Sequence, residues 1–219
     1  MCGRYTVFTE EEVIEMNAIV AEVSRIFGSG AINTGELFPT NKAPVLTLKD
    51  GRLAPSPAFW GFPKWGGSKG VIINARSESA LQKTMFSRPL LTRRCIIPST
   101  GFYEWTYEKV AEPEQISLFG EAEKPPPGKA DKVKLHFRLP GESMLYMAGM
   151  IDTFTDADGN PRDSFCILTT ESAHTIARFH ERMPVILSPG ECEDWITSDV
   201  FMREVLKRKG PDLEWRRAG

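Results

Sequence analysis

No apolar run in this chain is longer than a strand. Residues 145–151 are typical of the longest, and similar runs recur at 43–48, 71–73, 95–97, 144–150 and 165–169, punctuated by Gly, Asp and Pro. Apolar runs of this length bounded by turn residues read as buried strands. Lys49-Asp50-Gly51 reads as the turn between one such run and a strand from Arg52 onward, since Asp-Gly tolerates the positive φ of a tight hairpin. Residues 3–8 read as a further strand. Helical periodicity is clearest where Thr9-Glu10-Glu11-Glu12 forms a capping box, with Val13, Met16, Val20, Val23 and Phe27 on one face until Gly28-Ser29-Gly30. Shorter helices are predicted over 78–83, 172–179, 189–196 and 198–207. Many strands with scattered helices specify an α+β domain, a largely antiparallel sheet or barrel-like fold with peripheral helices.

At 219 residues and 41% hydrophobic, with no break in composition, the chain predicts one domain over 1–207 followed by a C-terminal tail, 208–219. Residues 108–131 differ in kind: four prolines, three lysines and six acids mark a mobile surface insertion. The N-terminus lacks a secretory pattern and no stretch is long enough to span a bilayer, so a cytoplasmic monomer with no membrane partner is expected. Cys2, Cys95, Cys166 and Cys192 are widely spaced without a CxxC pair. Neither a disulfide framework nor a zinc site is indicated, and no metal or cofactor is expected.

A net charge of −2 argues against coating nucleic acid by bulk charge. The stretch from Trp60 to Cys95 is the exception. It carries Lys64, Lys69, Arg76, Lys83, Arg88, Arg93 and Arg94 against Glu78 alone, interleaved with Trp60, Phe62, Trp65 and Phe86. That pattern suits phosphate contact and base stacking on a single strand; a solvated face over buried aromatics would read the same way.

Cysteine directly after the initiator methionine offers, once Met1 is excised, an α-amine and a thiol on one residue. The amine condenses with an aldehyde to an imine, and the thiol then closes on the imine carbon as a five-membered thiazolidine. With ordinary pKa values of about 7.7–8.0 and about 8.5, both groups are partly nucleophilic at neutral pH.

Seven further strings bear on this chemistry: Met1-Cys2-Gly3-Arg4-Tyr5, Pro39-Thr40, Trp60-Gly61-Phe62-Pro63, Asn74-Ala75-Arg76-Ser77-Glu78, Arg94-Cys95 through Pro98, Gly101-Phe102-Tyr103-Glu104-Trp105 and His180-Glu181-Arg182-Met183-Pro184. In this order they resemble the SOS response-associated peptidase (SRAP) family over roughly residues 1–190. The resemblance implies a barrel-like α+β domain that recognises abasic sites in single-stranded DNA and crosslinks to them through the N-terminal cysteine. It implies Cys2 as nucleophile, Glu104 as acid/base for opening the sugar hemiacetal, and His180 as proton donor during imine formation. Asn74 fits a role in orienting the amine or sugar, and Arg76 a phosphate contact on the same strand face. Arg4, Arg88 and Arg182 are candidates for the phosphate path or for ordinary ion pairs. Trp60, Phe62 and Trp65 are candidates for stacking on bases or for packing inside. The segment Thr34-Gly35-Glu36-Leu37-Phe38 departs from the Tyr-Asn-Ile-Ala type segment of many family members, which leaves contacts there open.

Within the insertion, Gln115-Ile116-Ser117-Leu118-Phe119 looks like the Gln-x-x-Leu-Phe peptide by which bacterial proteins dock on the sliding clamp. Two other functions fit the same residues less completely. A cysteine peptidase or self-processing enzyme would use Cys2 on an amide, and a passive single-stranded DNA reader would leave Cys2, Glu104 and His180 without a role.

Overall fold

The structure, a computed structural model, describes residues 3–10, 13–64, 68–109 and 130–218. It opens with β1 (Arg4–Val7) and α1 (Ile14–Phe27). Met16, Ile19 and Val23 recur at helical spacing on the buried side of α1, whereas Phe27, expected on that face, is exposed at the helix end. The helix starts later than a cap at Thr9 would place it: Val13 is the N-cap and has no capping side chain, and Glu10 O accepts from the Val13 N–H and the Asn17 amide. β2 (Gly35–Leu37) is followed by the hairpin of β3 (Lys42–Lys49) and β4 (Arg52–Trp60). Its turn residues Asp50 and Gly51 have φ of 51° and 74°, the left-handed pair of a type I′ turn.

Short elements come next: β5 (Phe62–Pro63), β6 (Val71–Ile72), β7 (Asn74–Arg76), α2 (Ser77–Ala80) and α3 (Thr84–Thr92). The pattern reading missed α3, which contains Pro89, a residue that argues against helix. Burial of Pro89 and Leu90 against the barrel overrides that preference. The long strands follow: β8 (Arg94–Ser99), β9 (Gly101–Lys109), β10 (Ala130–Arg138), β11 (Leu145–Thr155) and β12 (Pro161–Glu171). The chain ends with α4 (His174–Ala177), β13 (Arg182–Pro184), β14 (Ile186–Leu187), α5 (Cys192–Thr197), α6 (Asp199–Val205) and β15 (Glu214–Arg217).

Strands β4, β3, β8, β11 and β12 close into a ring, because β12 pairs with β11 on one side and β4 on the other. All six residues of β8 are buried, and its centre, Cys95 to Pro98, is accordingly apolar on both faces rather than alternating. The pairings of β12 with β4 and β7 are parallel and the others antiparallel, as the α+β, barrel-like reading anticipates. A second sheet runs β15-β10-β9-β1-β2. The expected insertion departs from β9 and returns on β10, and most of it, Gln115 to Phe119 included, lies outside the described residues. Residues 208–219, read as a tail, instead supply β15, which pairs with β10.

Trp60, Trp195, Tyr5, Phe62, Phe102, Phe137 and Phe165 are wholly buried and form much of the core. Arg94 ties the helical layer to the barrel. It donates to the carbonyls of Trp195 (2.6 Å), Ile196 (2.8 Å) and Leu90 (3.0 Å) and pairs with Asp199 (2.9 Å). Cys95, Cys166 and Cys192 are buried and unbonded, and burial raises all three thiols.

Candidate active site and nucleic-acid face

Side chains alternate along a strand, so β9 sends Glu104 to the face shared with Phe102 and sends Tyr103, Trp105 and Tyr107 to the opposite one. Glu104 opposes Leu135 of β10 and is 5% exposed. Burial raises its pKa above the ordinary carboxylate value, and the positive field of His180 draws it part of the way back. Glu104 is therefore not an acid facing solvent. What remains is a carboxyl whose proton is held to higher pH, the state a general acid needs.

His180 lies in the loop between α4 and β13. Its Nδ1 accepts from the Arg182 backbone N–H at 2.9 Å and lies 3.1 Å from the Arg182 carbonyl oxygen. In the neutral ring Nδ1 is therefore the acceptor and the proton sits on Nε2; in the cationic ring Nδ1 can donate to the carbonyl. One residue's backbone thus serves both protonation states. Phe179, the residue before His180, packs edge-on against Phe137 of β10 at 5.7 Å, which ties this loop to the sheet that carries Glu104.

Asn74 and Arg76 sit on β7, which runs parallel to β12 with Thr169 opposite Arg76. β13 flanks the other side of the same segment, with Thr169 opposite Pro184. Asn74 is half-buried and Arg76 exposed, on one face with buried Ala75 on the other. Among the described residues Arg76 makes no ion pair. Arg182 spans β12 instead: it grips Glu78 with two bonds (2.5 and 2.9 Å) and donates to Thr169 O, and its own main chain seats His180. This pairing holds the Glu78 carboxyl below its ordinary value. Arg182 is 9% exposed, so the ion-pair reading of this residue prevails over a phosphate contact.

The basic stretch separates in the same way. Arg88 and Arg93 share the buried Asp152 carboxylate (2.6 and 3.3 Å), and Arg94 is internal. Lys64, Lys69, Arg76 and Lys83 are exposed and, among the described residues, make no ion pair. Trp60 and Phe62 are corrections to the stacking expectation. The Trp60 ring meets Tyr5 edge-on at 4.9 Å and its Nε1 donates to Ile73 O, while Phe62 packs on Phe154 at 5.0 Å. Neither ring reaches the surface. Cys2 and Trp65 lie outside the described residues.

Arg4 projects with Tyr103, on the face away from Glu104. It pairs with Glu36 (2.9 Å) and covers the Phe38 ring at 3.7 Å. Lys134 pairs with the same Glu36 (2.5 Å) and lies 3.9 Å from the Tyr103 ring centre, and Lys132 lies 5.0 Å from that of Trp105. The sequence reading did not gather this aromatic and cationic strip, although the every-other-residue spacing of Tyr103, Trp105 and Tyr107 opposite Lys132 and Lys134 carried the signal.

A closed five-stranded barrel beside a second sheet, with a buried carboxyl whose pKa is raised and a histidine whose field reaches it, defines a small α+β protein. The chain belongs to the SOS response associated peptidase (SRAP) family, whose model matches residues 1–217. It is 31% identical over 209 residues to the abasic site processing protein YoqW of Bacillus subtilis (strain 168), covering 90% of this chain and 80% of that protein. It is 25% identical to YedK of Escherichia coli (strain K12), covering 93% and 83%, and 30% identical to HMCES of Gallus gallus, covering 61% and 40%; both bear the same description. Solved structures of proteins from Bacteroides thetaiotaomicron (TM-score 0.74, 22% identity, 99% and 91% covered) and Bordetella bronchiseptica (0.71, 22%, 100% and 100%) share the fold. No helix among the described residues is long and apolar enough to cross a membrane.

Proposed function

We propose that this protein recognises abasic sites in single-stranded DNA and bonds covalently to them through Cys2. The observation that carries the reading is Glu104, buried, with its proton held to higher pH, in the field of His180. Chain connectivity supports it: Cys2 precedes the first residue of β1 by two positions, a span of at most about 7 Å, and β1 pairs with the strand that carries Glu104. The names of the relatives, abasic site processing proteins, point to the same substrate.

The chemistry balances without a redox partner. Opening the hemiacetal moves a proton from the anomeric hydroxyl to the ring oxygen, with Glu104 as acid and base. The Cys2 amine adds to the aldehyde, and His180 protonates the departing hydroxyl, which leaves as water. The Cys2 thiol then adds to the iminium carbon and its proton returns to His180, giving a neutral thiazolidine. Asn74 orients the amine or sugar through its amide, and Arg76 contacts the neighbouring phosphate.

Denaturing electrophoresis of Met1-processed protein with a single-stranded oligonucleotide bearing one abasic site tests this. A heat-stable adduct that requires both the lesion and Cys2 is expected. No adduct with correctly processed protein overturns the reading, in favour of a peptidase if a peptide is cleaved, or of a passive reader if binding is reversible and blind to the lesion. Gln115 to Phe119 is further proposed to dock on a bacterial sliding clamp. Unchanged clamp binding after Leu118→Ala and Phe119→Ala together would end that proposal.

A further inference from the structure

The C-terminal strand forms the edge of the second sheet, and all four of its residues are exposed. Its register sets Arg217 opposite Leu135, which in turn opposes Glu104, and sets Trp215 opposite Phe137. Residues directly opposed in antiparallel strands project from one face. With strands about 4.8 Å apart, Arg217 stands about 10 Å from Glu104 on the same face, with Leu135 between them. Trp215 shares that face. Phe179 meets its ring edge-on at 5.2 Å, and the Arg178 guanidinium lies 4.6 Å from the Phe179 ring centre and 5.1 Å from that of Trp215. Arg178 makes no ion pair among the described residues, whereas Arg138 is taken by Glu214 (2.9 Å). The stack continues into the His180 loop through Phe179.

We propose that this edge is a phosphate-binding rim, in which Arg217 and Arg178 contact the backbone of the DNA strand flanking the reacting sugar, and Trp215 is the rigid platform that holds Arg178 in place. The proposal rests on the reading of the site as one for single-stranded DNA. Charge complementarity selects the occupant: two guanidinium groups flank the face that carries Glu104, and the planar fork suits phosphate oxygens. An exposed aromatic beneath a guanidinium fixes its position without neutralising it, as an acidic partner would.

The test uses the full-length, Met1-processed protein and a fluorescein-labelled oligothymidylate without a lesion, with affinity measured across salt concentration. Arg217→Gln and Arg178→Gln are each expected to weaken binding about tenfold and to reduce the salt slope by about 0.7, the value for one phosphate contact on a single strand. Trp215→Phe should retain the Arg178 contribution and Trp215→Ala should lose it. Lys207→Gln, on the exposed end of the helical layer, controls for bulk charge. Wild-type slopes in both arginine variants, or an equal change in Lys207→Gln, overturn the proposal. Adduct formation at an abasic site is scored separately in the wild type. Slopes that fall while no adduct forms uphold the rim and refute the covalent chemistry; an adduct with unchanged slopes does the reverse.

Discussion

Glu104→Gln removes the charge of the buried carboxyl and nearly preserves its shape, so it separates what the site does from what it does to stability. Burial raises the Glu104 pKa from the ordinary 4.5, so the folded protein binds this proton more tightly than the unfolded chain. Stability changes with pH according to protons bound in the unfolded state minus those bound in the folded state, which is negative here between 4.5 and the raised folded pKa. The wild type should therefore lose stability from this group as pH rises through that window, at about 1.4 kcal/mol per unit of displacement, and lose no more above it. The glutamine variant has no such loss. Compared with wild type by urea denaturation from pH 4 to 9, its relative stability should climb through the window and then level off. Other titrating groups are common to both proteins and cancel in the difference. Loss of the acid/base should also slow abasic-site adduct formation about 10²–10⁴-fold. A variant whose relative stability falls as pH rises would mean that Glu104 is stabilised as an anion, and would refute the burial argument.

His136 is 3% exposed, with Nε2 3.2 Å from Thr6 Oγ1, and burial together with the fields of Arg216, Arg138 and Lys134 lowers its pKa to about 4. An NMR titration should find this ring neutral down to about pH 4, with stability lost as pH falls from 6.5 towards 4; a midpoint near 6.5 would contradict the assignment. Gly101→Ala places a Cβ 2.3 Å from His136 Nε2 and 2.7 Å from Phe137 O, at a φ of +147°. A loss of at least about 2 kcal/mol in denaturant unfolding is expected, and a change within about 0.5 kcal/mol would show that the strand yields there. Arg94→Met strips its carbonyl partners and should lower unfolding free energy by about 3–5 kcal/mol, whereas Arg76→Gln should weaken DNA binding with stability within about 0.5 kcal/mol of wild type. Calorimetry beside a salt-dependent binding titration would expose any exchange of these two outcomes.

The strand runs and the Asp50-Gly51 turn were legible because their signals are local: alternation, length and a backbone conformation that few residues accept. Asn74 and Arg76 were singled out by the family resemblance, and only their shared strand face was a matter of local spacing. α3 was not, because Pro89 speaks against helix and only burial against the barrel outweighs it. β15 was not, because Glu-Trp-Arg-Arg carries no apolar alternation, and it is a strand through its ladder to β10. Trp60 and Phe62 were ambiguous in sequence because an aromatic beside lysines looks the same whether it faces a base or a core. The register of β4, with Trp60 against Tyr5 and Phe165, decides the matter.

The arginines make the same point chemically. The stretch from Trp60 to Cys95 looked like one basic surface because its cations are near in sequence, yet Arg88 and Arg93 close on Asp152 and Arg94 caps buried helix ends. Arg94 can do this in the interior because its guanidinium fork satisfies several carbonyls at once, where a lysine ammonium holds a single point, whereas Arg88 and Arg93 reach Asp152 from the surface. All the lysines of that stretch whose placement is described remain exposed, as that difference predicts. The cations that share a face with Glu104 come from a distant part of the chain, Arg217 on an edge strand, with Arg178 beside it on the loop leading to His180. The proposed phosphate rim therefore depends on strand register, and charge counted along the sequence samples a mixture of scaffold and surface.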